Sequence, residues 1–133
     1  SKARLLIADD NTFNQVFVRK LVQKLGFTQF DIAKNGQEAL DMFKESDYDC
    51  VLMDCHMPVM NGYETTSAIR KIEEEKGTHI PIVAMTADAM SGVRKVCLDA
   101  GMDEYTTKPV DAKRLVSVLE TWINFSSLED NAE

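Results

Sequence analysis

Three aspartates, a threonine and a lysine stand where short apolar runs break off, and together they could carry phosphoryl-transfer chemistry. Asp9 and Asp10 follow Arg4 to Ala8 (RLLIA), and Asp54 closes Cys50 to Asp54 (CVLMD). Thr86 follows Ile80 to Met85 (IPIVAM), Lys108 follows a strand expected roughly at Glu104 to Thr107, and a weaker strand is expected around Phe30 to Ala33. If these residues meet, the carboxylates repel: two unit charges roughly 4 Å apart cost about 4 kcal/mol at an effective dielectric near 20. Something positive must offset that, either Lys108 or a hard divalent cation. Mg2+ favours a few carboxylates, retained waters and a phosphate oxygen. Asp54, alone at the end of its run, is the candidate nucleophile, and its attack on phosphorus would give an aspartyl phosphate. The Asp9-Asp10 pair suits the metal. Lys108 and Mg2+ would neutralise the equatorial oxygens, and Thr86 would donate a hydrogen bond to the phosphoryl group.

The elements between these residues predict how they meet. Apolar runs that lack polar alternation read as strands buried on both faces. Between them lie helical periodicities. Phe13, Val16, Phe17, Leu21 and Leu25 are expected to face inward on the first helix, which Gly26 closes. Ala39, Leu40 and Phe43 follow on the second, and Ile69 and Ile72 on the third, which is expected to fray into a solvated charged loop at Glu73 to Gly77. Ala89, Val93, Val96, Cys97 and Ala100 mark the fourth helix, and Leu115, Val118, Leu119 and Trp122 the fifth. Strand and helix alternate five times. That pattern predicts an α/β fold, a doubly wound five-stranded parallel sheet of flavodoxin-like order 2-1-3-4-5 with helices on both faces. In such a sheet the carboxyl ends of all strands share one edge, so the five polar residues converge there.

Composition narrows the function classes. A length of 133 residues with 44% hydrophobic and 28% charged side chains suits one globular domain. Fifteen Lys and Arg against 22 Asp and Glu give a net charge of −7, which argues against direct contact with nucleic acid. No apolar stretch approaches the length of a membrane span, and no secretory signal is visible. Cys50, Cys55 and Cys97 are an odd set that suits free buried thiols rather than a disulfide framework. A metal site from Cys50, Cys55 and His56 is disfavoured, because positions 50 and 55 leave opposite faces of a strand. The chain begins Ser1-Lys2 without a Met and is expected to be a piece of something longer.

Asp9-Asp10-Asn11, Asp54 with Met57-Pro58 downstream, Thr86-Ala87 and Lys108-Pro109 together resemble the receiver domain of two-component response regulators, over residues 4 to 124. The resemblance implies that Asp54 accepts a phosphoryl group from a histidine kinase or a histidine phosphotransfer domain. It implies Mg2+ held by Asp10, Asp54 and the backbone carbonyl of His56, with Asp9 acting mainly through water. Lys108 would contact the phosphoryl group, and the Lys108–Pro109 bond would be cis. Thr86 and Tyr105 occupy the positions of a conformational switch. Asp10-Asn11 with Asn14-Gln15, and the Gly77 to Pro81 approach to the fourth strand, resemble receivers of hybrid histidine kinases. The module is then residues 1–124, with a polar C-terminal tail at 125–133. By itself it is no independent enzyme beyond self-phosphorylation and dephosphorylation, although a parent chain would be a histidine protein kinase. A cytoplasmic monomer without membrane contact is expected, or the soluble part of a membrane-anchored kinase.

Other readings stand beside this one. Asp9-Asp10 is also what a helix N-terminus favours, Thr86 also suits a cap, and Tyr105 also suits a half-buried structural role. A stand-alone single-domain regulator fits the same motifs. A flavodoxin-like binding protein shares the sheet, but its flavin phosphate wants a hydroxyl- and glycine-rich first loop; here that loop is acidic. An aspartyl-phosphate hydrolase resembles an Asp-x-Asp arrangement, which this chain lacks.

Overall fold

Both-face burial is what turns the apolar runs into strands. The computed structural model describes residues 3–87 and 92–132, with side chains to residue 123. Its order is β1 (Arg4–Ala8), α1 (Thr12–Lys24), β2 (Gln29–Ala33), α2 (Gly36–Glu45), β3 (Cys50–Asp54), α3 (Gly62–Lys76), β4 (Ile82–Thr86), α4 (Val93–Asp99), β5 (Glu104–Thr107) and α5 (Ala112–Ala132). The five strands are parallel in the order β2-β1-β3-β4-β5, as the alternation predicts.

Alternate side chains of each strand feed two cores. Leu6, Ala8, Val51, Met53, Ile82 and Ala84 pack toward α2, α3 and α4. Leu5, Ile7, Cys50, Leu52, Val83 and Met85 pack toward α1 and α5. Cys50 and Cys55 thus fall into different cores, and all three cysteines are free and buried.

Three asparagines start the helices that follow the first three strands. Asn11, Asn35 and Asn61 each accept, through the side chain, the backbone N–H three residues on, so α1 and α2 begin within a few residues of the strand ends and α3 begins after the loop 55–61. At Asn61 the cap is reciprocal, with Glu64 accepting the Asn61 N–H. Gly62 cannot carry a side chain, because a Cβ there would overlap the carbonyl oxygen of Asp54. The start of α3 is therefore pressed against the end of β3.

Several helix details depart from the sequence reading. In α1 the buried residues are Val18 and Val22, while Phe13 and Phe17 are 79% and 42% exposed. The helix carries apolar groups on more than one face, and spacing alone picked the aromatic one. Val96, expected inside, is 52% exposed. The third helix does not fray at Glu73 but runs to Lys76 and ends at Gly77 in the left-handed conformation, φ 69°. Described α4 begins at Val93; Ala89 lies outside the described residues. Helix α5 continues to Ala132, past the expected domain end at residue 124.

Candidate functional site

The strand ends bring Asp9, Asp10 and Asp54 together at the carboxyl edge of β1 and β3. One oxygen from each lies within 4.8 Å of the others. Asp9 and Asp54 are buried, whereas Asp10 is exposed. Lys108, just past β5, turns its ammonium into this group, 2.9 Å from Asp54 Oδ2 and 3.4 Å from Asp9 Oδ2. It thereby spans the site over β4. The Lys108 N–H donates to the Thr86 carbonyl at 2.8 Å, and the Lys108–Pro109 bond is cis.

Each acid has its own environment. Asp54 Oδ1 accepts the His56 N–H at 3.2 Å. Asp9 Oδ1 accepts the Asn11 N–H at 2.9 Å, and Asp9 Oδ2 is buried without a hydrogen-bond partner among the described residues. Burial pushes the Asp9 carboxyl above its ordinary value; the Asn11 N–H and the Lys108 charge oppose this, and the Asp54 charge adds to it. For Lys108, burial pulls the ammonium down, but the Asp54 hydrogen bond and charge, then Asp9, outweigh it and leave the pKa raised. The ammonium stays protonated.

A buried carboxylate oxygen with no donor, next to two further carboxylates, is a donor set of hard anionic oxygens. It fits a small divalent cation, which needs several oxygens and keeps part of its water shell. The free space beside Asp9 and Lys108 is about 10 Å³, room for a water rather than an organic cofactor.

The other predicted residues are placed as follows. Thr86 ends β4 fully buried. Tyr105 on β5 pairs with Ala84, is half-buried, and packs against the core beneath α4. The His56 side chain is exposed, edge-on to the Tyr63 ring. Cys55, next to Asp54, has its thiol pushed up to about 12 by burial, which removes it as a nucleophile.

Three features go beyond the sequence reading or correct it. Gln15 Nε2 donates to the Asp9 carbonyl at 2.6 Å; its signal was an amide one turn after the Asn11 cap. Val59, in the loop after Asp54, is 80% exposed with φ 71°, an unusual conformation for a β-branched residue. Glu73 is buried rather than solvated. It accepts Arg70 Nη1 at 2.6 Å and the Ile80 N–H at 2.5 Å, while Arg70 also reaches Asp103 at 2.8 Å. This network lies at the opposite edge of the sheet.

Comparison with known proteins yields consistent matches. Residues 5–120 match the family model of the response regulator receiver domain. Over 125 residues the chain is 47% identical to hybrid signal transduction histidine kinase I of Dictyostelium discoideum, covering 90% of this chain and 7% of that protein. The chain therefore spans only a small part of the length of that curated relative. A chain from the co-crystal of the Saccharomyces cerevisiae histidine phosphotransfer signaling protein Ypd1 with the receiver domain of Ssk1 matches with TM-score 0.86 and 32% identity, covering 92% of this chain and 89% of that one. The receiver domain of sensor histidine kinase PA1611 from Pseudomonas aeruginosa PAO1, with magnesium in its active site cleft, matches with TM-score 0.82 and 36% identity, covering 92% and 98%.

Proposed function

The chain belongs to the response regulator receiver family, and from that we propose that it accepts a phosphoryl group on Asp54 from a phosphohistidine, as the receiver module of a hybrid histidine kinase. The observation that carries this reading is the pairing of Asp54 with Lys108 at 2.9 Å inside a cluster of three carboxylates. The Asp54–phosphorus bond forms as the nitrogen–phosphorus bond of the donor breaks. Lys108 and the His56 N–H stand beside the carboxylate whose oxygens take part. Mg2+ would be held by Asp10, Asp54 and the His56 backbone carbonyl, with Asp9 one step removed, and when bound would neutralise phosphoryl charge.

The donor is a protein. Exposed Phe13, Phe17 and Val59 are large apolar side chains on the helix and loop that follow two of the clustered acids, and such groups mark contact surfaces. A histidine phosphotransfer domain, as in the yeast co-crystal, or a kinase domain supplies a phosphohistidine on such a surface. Nucleic acid fits poorly with a net charge of −7. No described helix is long and apolar enough to cross a membrane. The receiver unit is taken as residues 1–124, acting in the cytoplasm as a monomer. Thr86 and Tyr105 form the switch: the hydroxyl turns to the phosphoryl oxygens and the ring follows into the vacated space.

Intact mass after incubation with Mg2+ and acetyl phosphate tests the assignment. One added phosphoryl group is expected in the unsubstituted chain and none in Asp54→Asn, whose amide is isosteric but not nucleophilic. An unmodified native chain overturns the function, and full labelling of Asp54→Asn moves the acceptor.

A further inference from the structure

Asp10 differs from the two acids beside it. Asp9 and Asp54 are buried, and each has one carboxylate oxygen on a backbone N–H. Asp10 is exposed, lies in neither strand nor helix, and no donor among the described residues holds its carboxylate. The direction in which its side chain leaves the main chain is set by the backbone from which it hangs. That backbone leaves β1 with the Asp9 N–H on the Ala33 carbonyl at 3.0 Å. The peptide joining Asp9 to Asp10 is then caught from the helix side, by Gln15 Nε2 on the Asp9 carbonyl at 2.6 Å. Gln15 is itself fixed, half-buried, with its N–H on the Asn11 carbonyl at 2.9 Å. The Asn11 N–H closes the ring on Asp9 Oδ1.

We propose that Gln15 is a positioning residue for the divalent cation: its amide fixes the plane of the Asp9–Asp10 peptide and so the direction in which Asp10 presents its carboxylate. The inference rests on reading the acidic cluster as a Mg2+ site. A peptide unit is rigid, so holding its carbonyl holds the N–H and Cα of Asp10 as well. Without that bond the peptide tilts, and Asp10 must be ordered at the moment the cation binds, which weakens binding. A leucine at position 15 fills the same space without a donor.

The experiment titrates Mg2+ into the native chain, Gln15→Leu, Asp10→Asn and the double variant, following backbone amide shifts, with urea midpoints recorded alongside. Gln15→Leu is expected to weaken Mg2+ binding roughly three- to tenfold, the equivalent of one ordinary hydrogen bond, and Gln15→Ala to do the same. In the Asp10→Asn background, Gln15→Leu is expected to add no further loss. A purely structural glutamine would lower the urea midpoint and leave Mg2+ affinity alone. Equal affinities in the native chain and Gln15→Leu overturn the inference, as do fully additive losses in the double variant. Absence of Mg2+ binding to the native chain overturns the metal-site reading itself, and this inference with it.

Discussion

The Lys108 ammonium touches Asp54 Oδ2 at 2.9 Å, reaching from the end of β5 across β4 to the end of β3. The same ammonium stands 3.4 Å from Asp9 Oδ2, an oxygen that accepts no hydrogen bond among the described residues. Lys108, the one cation of the cluster among the described residues, is thus committed unequally. Asp54 has a close counter-charge, and Asp9 keeps an unmet demand.

Replacing Lys108 by Met should leave two buried carboxylates facing each other. Without metal the folded state is expected to lose about 1–3 kcal/mol, the usual cost of stripping one partner from a buried charge group. Mg2+ in the millimolar range should return part of that loss by binding the folded state alone. Urea unfolding with and without Mg2+ measures both; matching midpoints for the two chains would contradict the role given to Lys108.

Asp9 yields a pH dependence. Its carboxyl pKa is raised in the folded chain, chiefly by burial. The folded state therefore holds this proton more tightly than the unfolded state does. That stabilisation is complete below the ordinary value of 3.8 and disappears as pH rises through the folded value. Asp9→Asn avoids the loss. It should be more stable than the native chain at pH 7 by on the order of 1 kcal/mol, with the difference shrinking on acidification. A constant difference across the range would refute the assignment.

The switch has its own test. Amide shifts induced by beryllofluoride should spread from Asp54 to β5 and the described part of α4 in the native chain. In Thr86→Ala those over residues 92–107 should shrink while those next to Asp54 persist. Undiminished changes on β5 would mean that the ring of Tyr105 moves independently of Thr86. The residues between Ala87 and Gly92 lie outside the described ones.

Glu73→Gln should destabilise without touching phosphorylation. Both carboxylate oxygens accept from donors, Arg70 and the Ile80 N–H, at 4% side-chain exposure. An amide turns one acceptor into a donor facing a donor, so a loss of about 2 kcal/mol is expected in urea unfolding. Native-like stability in Glu73→Gln would show the network to be dispensable.

The sheet and its polar strand ends were legible because strands buried on both faces have no ambiguous side: RLLIA and CVLMD admit one placement. A helix with two apolar faces admits two: spacing in α1 points Phe13 and Phe17 inward, whereas Val18 and Val22 hold the core. Spacing alone does not say which of two apolar faces meets the sheet, and here the aromatic one is left exposed. Glu73 was hidden for the opposite reason. In sequence it belongs to the run Glu73-Glu74-Glu75, and only the tertiary approach of Arg70 and Ile80 singles out the first. The Gln15 side-chain amide donates to a backbone carbonyl rather than to another side chain, so no pairing of residue types announces it.

The Arg70 network also fixes mechanical boundary conditions on the sheet. Arg70 holds the Ile80 carbonyl, Glu73 the Ile80 N–H, and Asp103 the Ile82 N–H, so β4 is built in at its root like a beam set in a wall. Thr86 lies at the far end, about 13 Å along the strand. Deflection of such a beam dies away toward its support, and a disturbance at Thr86 leaves the root still. Sideways, Thr86 stands beside Thr107 of β5, and the preceding Met85 stands beside Asp54 of β3. Under the proposed switch, the anchored roots of β4 and β5 would serve as a fixed frame of reference while displacement at the free strand ends passes sideways.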